Sequence, residues 1–253
     1  MELQGLRLVA VGGASGMAKA TAERVVAGGG KVAVLDRPGS AGADVATALG
    51  GSYVECDVTD FEGAELALAD AISTLGGVDA VVNTAGGGVS VRTISKDGPM
   101  PLETFQQVVN LNLVATFNIA RLAAWSMSTN EPNADGERGV IVNTASIAAF
   151  EGQIGQVSYS AAKAGIAGMS LTMARDLGSM GIRVNTIAPS LFATGLTAGI
   201  PKDFEDKLTA DAAFPKRMGK PDEYARLAVA IIENPMLNGS TIRLDGGQHF
   251  APK

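Results

Sequence analysis

Seven short runs of valine, isoleucine, leucine and alanine recur along the chain, separated by longer stretches whose apolar residues repeat every three to four positions. A strand with one wet face alternates apolar and polar residues. A run that stays apolar is buried on both faces, which happens when helices cover both sides of a parallel sheet. This pattern predicts strands at 7–11, 31–35, 52–56, 78–83, 139–144, 182–187 and 240–244. Helices are predicted at 16–28, 40–49, 61–75, 102–129, 155–179, 201–212 and 221–233. Nothing rich in proline, serine or charge separates two halves, and no solenoid repeat appears. The expectation is therefore a single α/β domain over 1–253 built on one seven-stranded, mainly parallel sheet.

Composition removes several classes of function. The net charge is −6 and the basic residues form no stripe, so a nucleic-acid surface is not expected. Apolar runs stop well short of the ~20 residues that span a bilayer, so no membrane segment is expected. One cysteine, Cys56, and one histidine, His249, leave no set of soft or imidazole ligands for a metal. The N-terminus lacks a secretory pattern and Cys56 has no partner for a disulfide, so the expected location is cytoplasmic.

The stretch "VAVGGASGMAKA" leaves the first strand and opens the first helix. Gly12, Gly13 and Gly16 therefore stand where a pyrophosphate meets backbone amides and a helix N-terminus, as in the Rossmann fold. Asp36 ends the second strand, at the distance from the turn where a carboxylate accepts hydrogen bonds from an adenosine ribose. That carboxylate would repel a 2′-phosphate, and residues 12 to 17 contain no lysine or arginine, so NAD is expected over NADP. Arg37 points the other way. Asp57 and Val58, after the third strand, suit an adenine contact, although Asp57 would equally serve as N-cap of the next helix. Asn83, in "NTAG", suits a neighbour of the nicotinamide ribose.

In "VSYSAAKAG" (157 to 165) Tyr159 and Lys163 are four residues apart, so on a helix the phenol and the ammonium are neighbours. Tyr159 continues an apolar stripe of Ala162, Ile166, Met169, Met173 and Leu177. Ala161, Ala164, Gly165 and Gly168 would let another backbone come close, within the chain or from another subunit.

The glycine turn, "NTAG", the serine of "NTASIAA" and the Tyr-x-x-x-Lys helix occur in one order that resembles the short-chain dehydrogenase/reductase family over essentially the whole chain. "DRPGSAG", "RDLGSMGIRVNTIAPSLF" and "AIIENPMLNGSTIRLDGG" are similar to one branch, the type 2 3-hydroxyacyl-CoA dehydrogenases, which also oxidise some hydroxysteroids. The resemblance implies Ser146, Tyr159 and Lys163 as a catalytic triad, Asn112 as a fourth member holding a water relay, and a homotetramer. The implied cofactor set is Gly12, Ser15, Gly16, Met17, Asp36, Asp57, Val58, Asn83, Ala85, Gly86, Tyr159, Lys163, Pro189, Phe192 and Thr194. Departures are Val11 for a common threonine, Ala18 for the third glycine, Thr84 for a second asparagine and Ser190 for a common glycine.

Oxidising a secondary alcohol requires a base beside the carbinol oxygen. A phenol with a reference pKa of ~10 needs about 4 kcal/mol of preference for phenolate to ionise near neutrality. The Lys163 ammonium and a positive nicotinamide ring would supply charge of that order in a water-poor site. Ser146 would hold the substrate oxygen, and a buried Asn112 would be satisfied by a water chain to Lys163.

Segments 87–101 and 191–219 are longer than the sheet requires and suit substrate loops. Phe192, Leu196, Ile200, Phe204 and Leu208 would offer an apolar wall. Arg92, Lys96, Lys202, Lys207, Lys216 and Arg217 would meet coenzyme A phosphates, with Gln153 and Gln156 at the acyl thioester. The expected activity is NAD-dependent interconversion of 3-hydroxyacyl-CoA and 3-ketoacyl-CoA. The alternative is an NAD-dependent hydroxysteroid or general secondary-alcohol dehydrogenase.

Overall fold

Central strands that are mostly apolar and buried along nearly their whole length require helices over both faces, and the computed structural model of the chain, describing residues 1–197 and 201–252, has that arrangement. The elements follow as β1 (Arg7–Val11), α1 (Gly16–Ala27), β2 (Lys31–Asp36), α2 (Gly42–Ala48), β3 (Ser52–Glu55), α3 (Phe61–Leu75) and β4 (Ala80–Asn83). A small hairpin, β5 (Ile94–Ser95) with β6 (Gly98–Pro99), leads to α4 (Leu102–Val109), one π turn (Asn110–Val114) and α5 (Ala115–Met127). Then come β7 (Gly139–Thr144), α6 (Val157–Leu177), β8 (Ile182–Pro189), α7 (Lys202–Leu208), α8 (Pro221–Glu233) and β9 (Thr241–Leu244).

The seven-stranded sheet runs β3-β2-β1-β4-β7-β8-β9, with every pairing parallel. The chain winds outward from β1 to β3, then crosses back to start β4 on β1's other side. Between these two strands the connections diverge, which opens a crevice at their carboxyl ends. One core lies between the sheet and α3, α5 and α6, and the other between the sheet and α1, α2 and α8. Both are rich in alanine and valine, so the layers pack closely.

The continuous helical run Leu102–Met127 is long and apolar enough to span a bilayer, contrary to the expectation from run lengths. It is nevertheless a core element, packed on α3 and α6 and burying Asn112, Thr116 and Asn118. The π turn in its middle is the other departure from the expected single helix, and it carries Asn112. On α6, Gly165 admits Leu113 of the same chain, whereas Ala161, Ala164 and Gly168 face outward.

Candidate active site

The crevice between β1 and β4 is a cleft of about 300 Å3 lined by Gly12, Ser15, Gly16, Met17, Asp36, Asp57, Val58, Ala85, Gly86 and Thr194 of the expected set. Arg37, Thr84, Leu111 and Gly195 line it as well. Gly12 and Gly16 take φ of +76° and +57°, which glycine adopts without strain. A Cβ on Gly12 would stand 3.0 Å from the Ala85 amide nitrogen, so glycine is also what lets the turn approach the β4 loop. Ser15 is extended and its hydroxyl makes no capping bond to the first turn of α1, leaving that turn to an outside acceptor.

Asp36 accepts from the Ala14 amide at 2.9 Å and from the Arg37 amide at 2.8 Å, so its carboxylate is pinned at the cleft mouth. Asp57 accepts from the Thr59 amide and hydroxyl at 2.9 and 2.7 Å, and these bonds hold its pKa below the usual carboxylate value. The N-cap of α3 is Asp60, which accepts from Gly63, so the capping role considered for Asp57 falls to its neighbour. A glycine-rich cradle, a helix N-terminus and a fixed carboxylate together fit a dinucleotide.

The remaining members of that set stand around the cleft rather than on its walls. Pro189 ends the buried β8. Asn83 is buried, and its carbonyl accepts from the Thr144 hydroxyl at 2.7 Å. The Phe192 ring packs against Gly219 and lines a separate cavity of about 250 Å3 with Ser190 and Arg217. It therefore does not join an apolar wall with Phe204, which is exposed. The Leu196 side chain and Ile200 lie outside the described residues. Thr194 comes down on the glycine turn: a Cβ on Gly16 would meet its methyl group at 3.1 Å.

Beside the cleft, α6 presents Tyr159 and Lys163. Lys163 is buried, with Nζ donating to the Thr144 carbonyl at 2.9 Å and lying 5.5 Å from the Tyr159 ring centroid. Burial lowers its pKa to about 8. Two glycines make room for this pair: a Cβ on Gly86 would lie 3.2 Å from Lys163 Nζ, and one on Gly88 3.0 Å from the Tyr159 ring. Burial pushes the Tyr159 phenol above its ordinary value, while a hydrogen bond with Ser146 pulls the other way. In the protein alone desolvation therefore outweighs the acidification expected of Lys163, whose Nζ is hydrogen-bonded to the Thr144 carbonyl. The Ser146 hydroxyl also accepts from the Ala148 amide at 3.1 Å, which orients it.

Asn112 is fully buried, and backbone groups meet its hydrogen-bonding demands. Its Nδ2 donates to the Gly87 and Val108 carbonyls at 2.7 and 2.8 Å, and its Oδ1 accepts from the Gly87 amide at 3.2 Å. These backbone partners hold the side chain, because the π turn carries it onto the loop after β4. Thr144, whose carbonyl holds the ammonium, is not among the candidate site residues legible in the sequence. The only available signal is its place as last residue of a buried strand, two before Ser146.

Gln153 and Gln156 are drawn into the turn before α6, where Gln156 Oε1 accepts from the Gln153 amide at 3.0 Å. Gln153 Nε2 donates to the Ala251 carbonyl at 3.2 Å. Of the six basic loop residues, Lys202 pairs with Asp206 at 2.7 Å and Arg217 with Glu223 at 2.7 Å, so these two are neutralised. Arg92, Lys96, Lys207 and Lys216 remain at the surface.

Comparison with known proteins agrees with this arrangement. The short chain dehydrogenase family model matches residues 7–205. The chain is 49% identical over 254 residues to 3-hydroxyacyl-CoA dehydrogenase type-2 of Homo sapiens, covering 99% of this chain and 97% of that one. The crystal structure of 3-hydroxyacyl-CoA dehydrogenase type-2 from Mycobacterium avium matches with a TM-score of 0.94 at 41% identity, over 98% of each chain. A 7α-hydroxysteroid dehydrogenase complexed with NADH and 7-oxo glycochenodeoxycholic acid matches with a TM-score of 0.87 at 30% identity, over 100% of this chain and 97% of that one. By sequence, fold and site, the chain belongs to the short-chain dehydrogenase family.

Proposed function

We propose that the protein interconverts 3-hydroxyacyl-CoA and 3-ketoacyl-CoA with NAD. The observation that carries the reaction class is the meeting of Ser146, Tyr159 and the buried Lys163 beside a cleft whose far end is set by Asp36. Likeness to type 2 3-hydroxyacyl-CoA dehydrogenases supports the substrate. Gly12, Ser15, Gly16, Asp36, Asp57 and Val58 would hold the dinucleotide, whose nicotinamide supplies or accepts the hydride. The pinned Asp36 carboxylate supports NAD over NADP by repelling a 2′-phosphate.

Ser146 would hold the substrate oxygen. Tyr159, kept protonated by burial, is ready to donate its proton to a ketone oxygen in the reducing direction. In the oxidising direction the same oxygen takes the alcohol proton, and the Lys163 ammonium steadies the phenolate. Exposed apolar side chains of Val89, Ile94, Ile154 and Val157 would meet the acyl chain.

A second reading, a hydroxysteroid or general secondary-alcohol dehydrogenase, is favoured by that same apolar rim and by the neutralisation of Lys202 and Arg217. The reading also carries a homotetramer, supported by a groove between α5 and α6 lined by Phe117, Trp125, Met173 and Met180, with Trp125 79% exposed. A cytoplasmic role in fatty acid metabolism completes it, in keeping with a single, buried cysteine.

The deciding experiment follows NADH absorbance with acetoacetyl-CoA beside NADPH, a β-keto ester lacking coenzyme A and a steroid ketone. Rapid turnover with NADH and acetoacetyl-CoA, with a KM that rises with salt, is expected. Turnover of the ester or steroid alone would overturn the thioester assignment and leave the reductase chemistry standing.

A further inference from the structure

Tyr224 lies on α8, across the sheet from α6, and it is fully buried among Ala225, Ala228 and Ile231. A phenylalanine would pack as well in such a setting, so the hydroxyl needs a reason to be there. Its only partner among the described residues is Thr144: the two hydroxyl oxygens are 2.7 Å apart. The Thr144 hydroxyl also lies 2.7 Å from the Asn83 carbonyl, which can only accept. The hydroxyl hydrogen of Thr144 is thereby committed to Asn83, and the phenol of Tyr224 must be the donor to Thr144. Burial holds that phenol protonated, well above the ordinary range, so it remains a donor at all working pH.

Thr144 is thus fixed through its side chain to one face of the sheet, while its carbonyl receives Lys163 Nζ from the other at 2.9 Å. The next amide, of Ala145, is bonded to the Ile187 carbonyl at 2.8 Å, so the peptide cannot swing. We infer that Tyr224 is a positioning residue that acts through Thr144 to aim the Lys163 ammonium at Tyr159. The inference rests on Tyr159 and Lys163 being the acid–base pair proposed above. Neither Tyr224 nor Thr144 lines the cleft; each sets the direction of the carbonyl that holds the cation.

The test uses Tyr224→Phe, which keeps the Thr144 bond to Asn83, together with Thr144→Val and the double variant; the double variant leaves neither hydroxyl orphaned but takes the Thr144 donor from the Asn83 carbonyl, so its folding is checked by thermal denaturation. Two readouts are taken. The first is the pH profile of alcohol oxidation, with kcat and the cofactor KM separated. The second is the ionisation of Tyr159 followed by phenolate absorbance, assigned by difference from Tyr159→Phe; only three tyrosines are present, which keeps this tractable. A displaced ammonium stabilises phenolate less, so the acid limb and the Tyr159 ionisation move to higher pH by about half a unit or more. We expect kcat to fall about tenfold with the cofactor KM unchanged, which separates loss at the reacting atoms from loss of binding. Lys163→Met sets the full size of the ionisation shift.

A double variant whose ionisation and acid limb superpose on the wild type overturns the inference, whatever its thermal midpoint. So does a Lys163→Met variant that leaves Tyr159 unmoved. A wild type that turns over no alcohol or ketone, but in which the Tyr159 ionisation still moves on substitution, sinks the proposed function and leaves the linkage standing.

Discussion

Gly86 and Gly87 are adjacent, yet substituting them should have opposite outcomes. A Cβ on Gly86 would lie 2.6 Å from Asn112 Oδ1 and 3.2 Å from Lys163 Nζ, whereas one on Gly87 meets nothing within 4 Å. Both contacts of Gly86 are with buried, hydrogen-bonded side chains that have little room to retreat. Moving Asn112 breaks its two bonds to Gly87, each worth about 1 kcal/mol net. The φ of +156° at Gly86 adds about 1 kcal/mol of backbone strain for alanine. Gly86→Ala should therefore lose about 3 kcal/mol in urea denaturation, which a domain of ordinary stability survives. Its kcat should fall by about 100-fold, the cost of displacing a catalytic group by roughly 1 Å. Gly87→Ala should stay within about 0.5 kcal/mol of wild type, as surface changes usually do. If the two variants denature and turn over alike, the claim that the β4 loop is seated by Asn112 and Lys163 is wrong.

Other expectations follow from the same geometry. The folded pKa of Lys163 is depressed to about 8, so the unfolded chain holds more protons between there and 10.5. Burial of this charge therefore costs stability at every pH below about 8, and the cost fades as pH rises. Lys163→Met should be inactive in oxidation yet more stable at neutral pH by up to about 3 kcal/mol; a less stable variant refutes this. In wild type, kcat/KM for oxidation should decline above pH about 8 as the ammonium is lost. Asp36→Ala should raise the KM for NADH at least about tenfold, since hydrogen bonds to charged groups are worth about 1.5–3 kcal/mol, and should narrow the gap to NADPH. Trp125→Glu should lower the oligomeric state seen by sedimentation while leaving the far-ultraviolet spectrum intact.

What the sequence makes legible is whatever depends on period and position. The strands emerge within two residues of expectation because a doubly buried strand writes its burial at every residue, as "GVIVNT" does. Asp36 and the glycine turn are equally legible, since a strand end and a helix start fix them. Contacts between distant residues are not. Nothing in "EYARL" announces that Tyr224 reaches Thr144, and the carboxylate that pairs with Arg217 is known only once α8 is placed, whereas the i,i+4 pair of Lys202 with Asp206 is open to helix period. The π turn is hidden for another reason: it adds no residue type of its own to an otherwise regular helical pattern.

The loop after β8 is tied at its neck. Ala193 donates to the Gly219 carbonyl and Gly219 to the Leu191 carbonyl, both at 2.9 Å, while the Phe192 ring fills the space beneath Gly219. Provided that Thr194 and Gly195 at the cofactor cleft and the bonds joining Leu208 and Phe214 to Gln248 and Gly246 are kept, chain growth or loss beyond that neck costs chiefly loop-closure entropy, which rises slowly with length. The segment can therefore be exchanged as a cassette. Relatives sharing one hydride chemistry can diverge in substrate by rewriting what hangs from this clasp, and an engineer can do the same by grafting between Gly195 and Gly219 while leaving Thr194, Tyr159 and Lys163 alone.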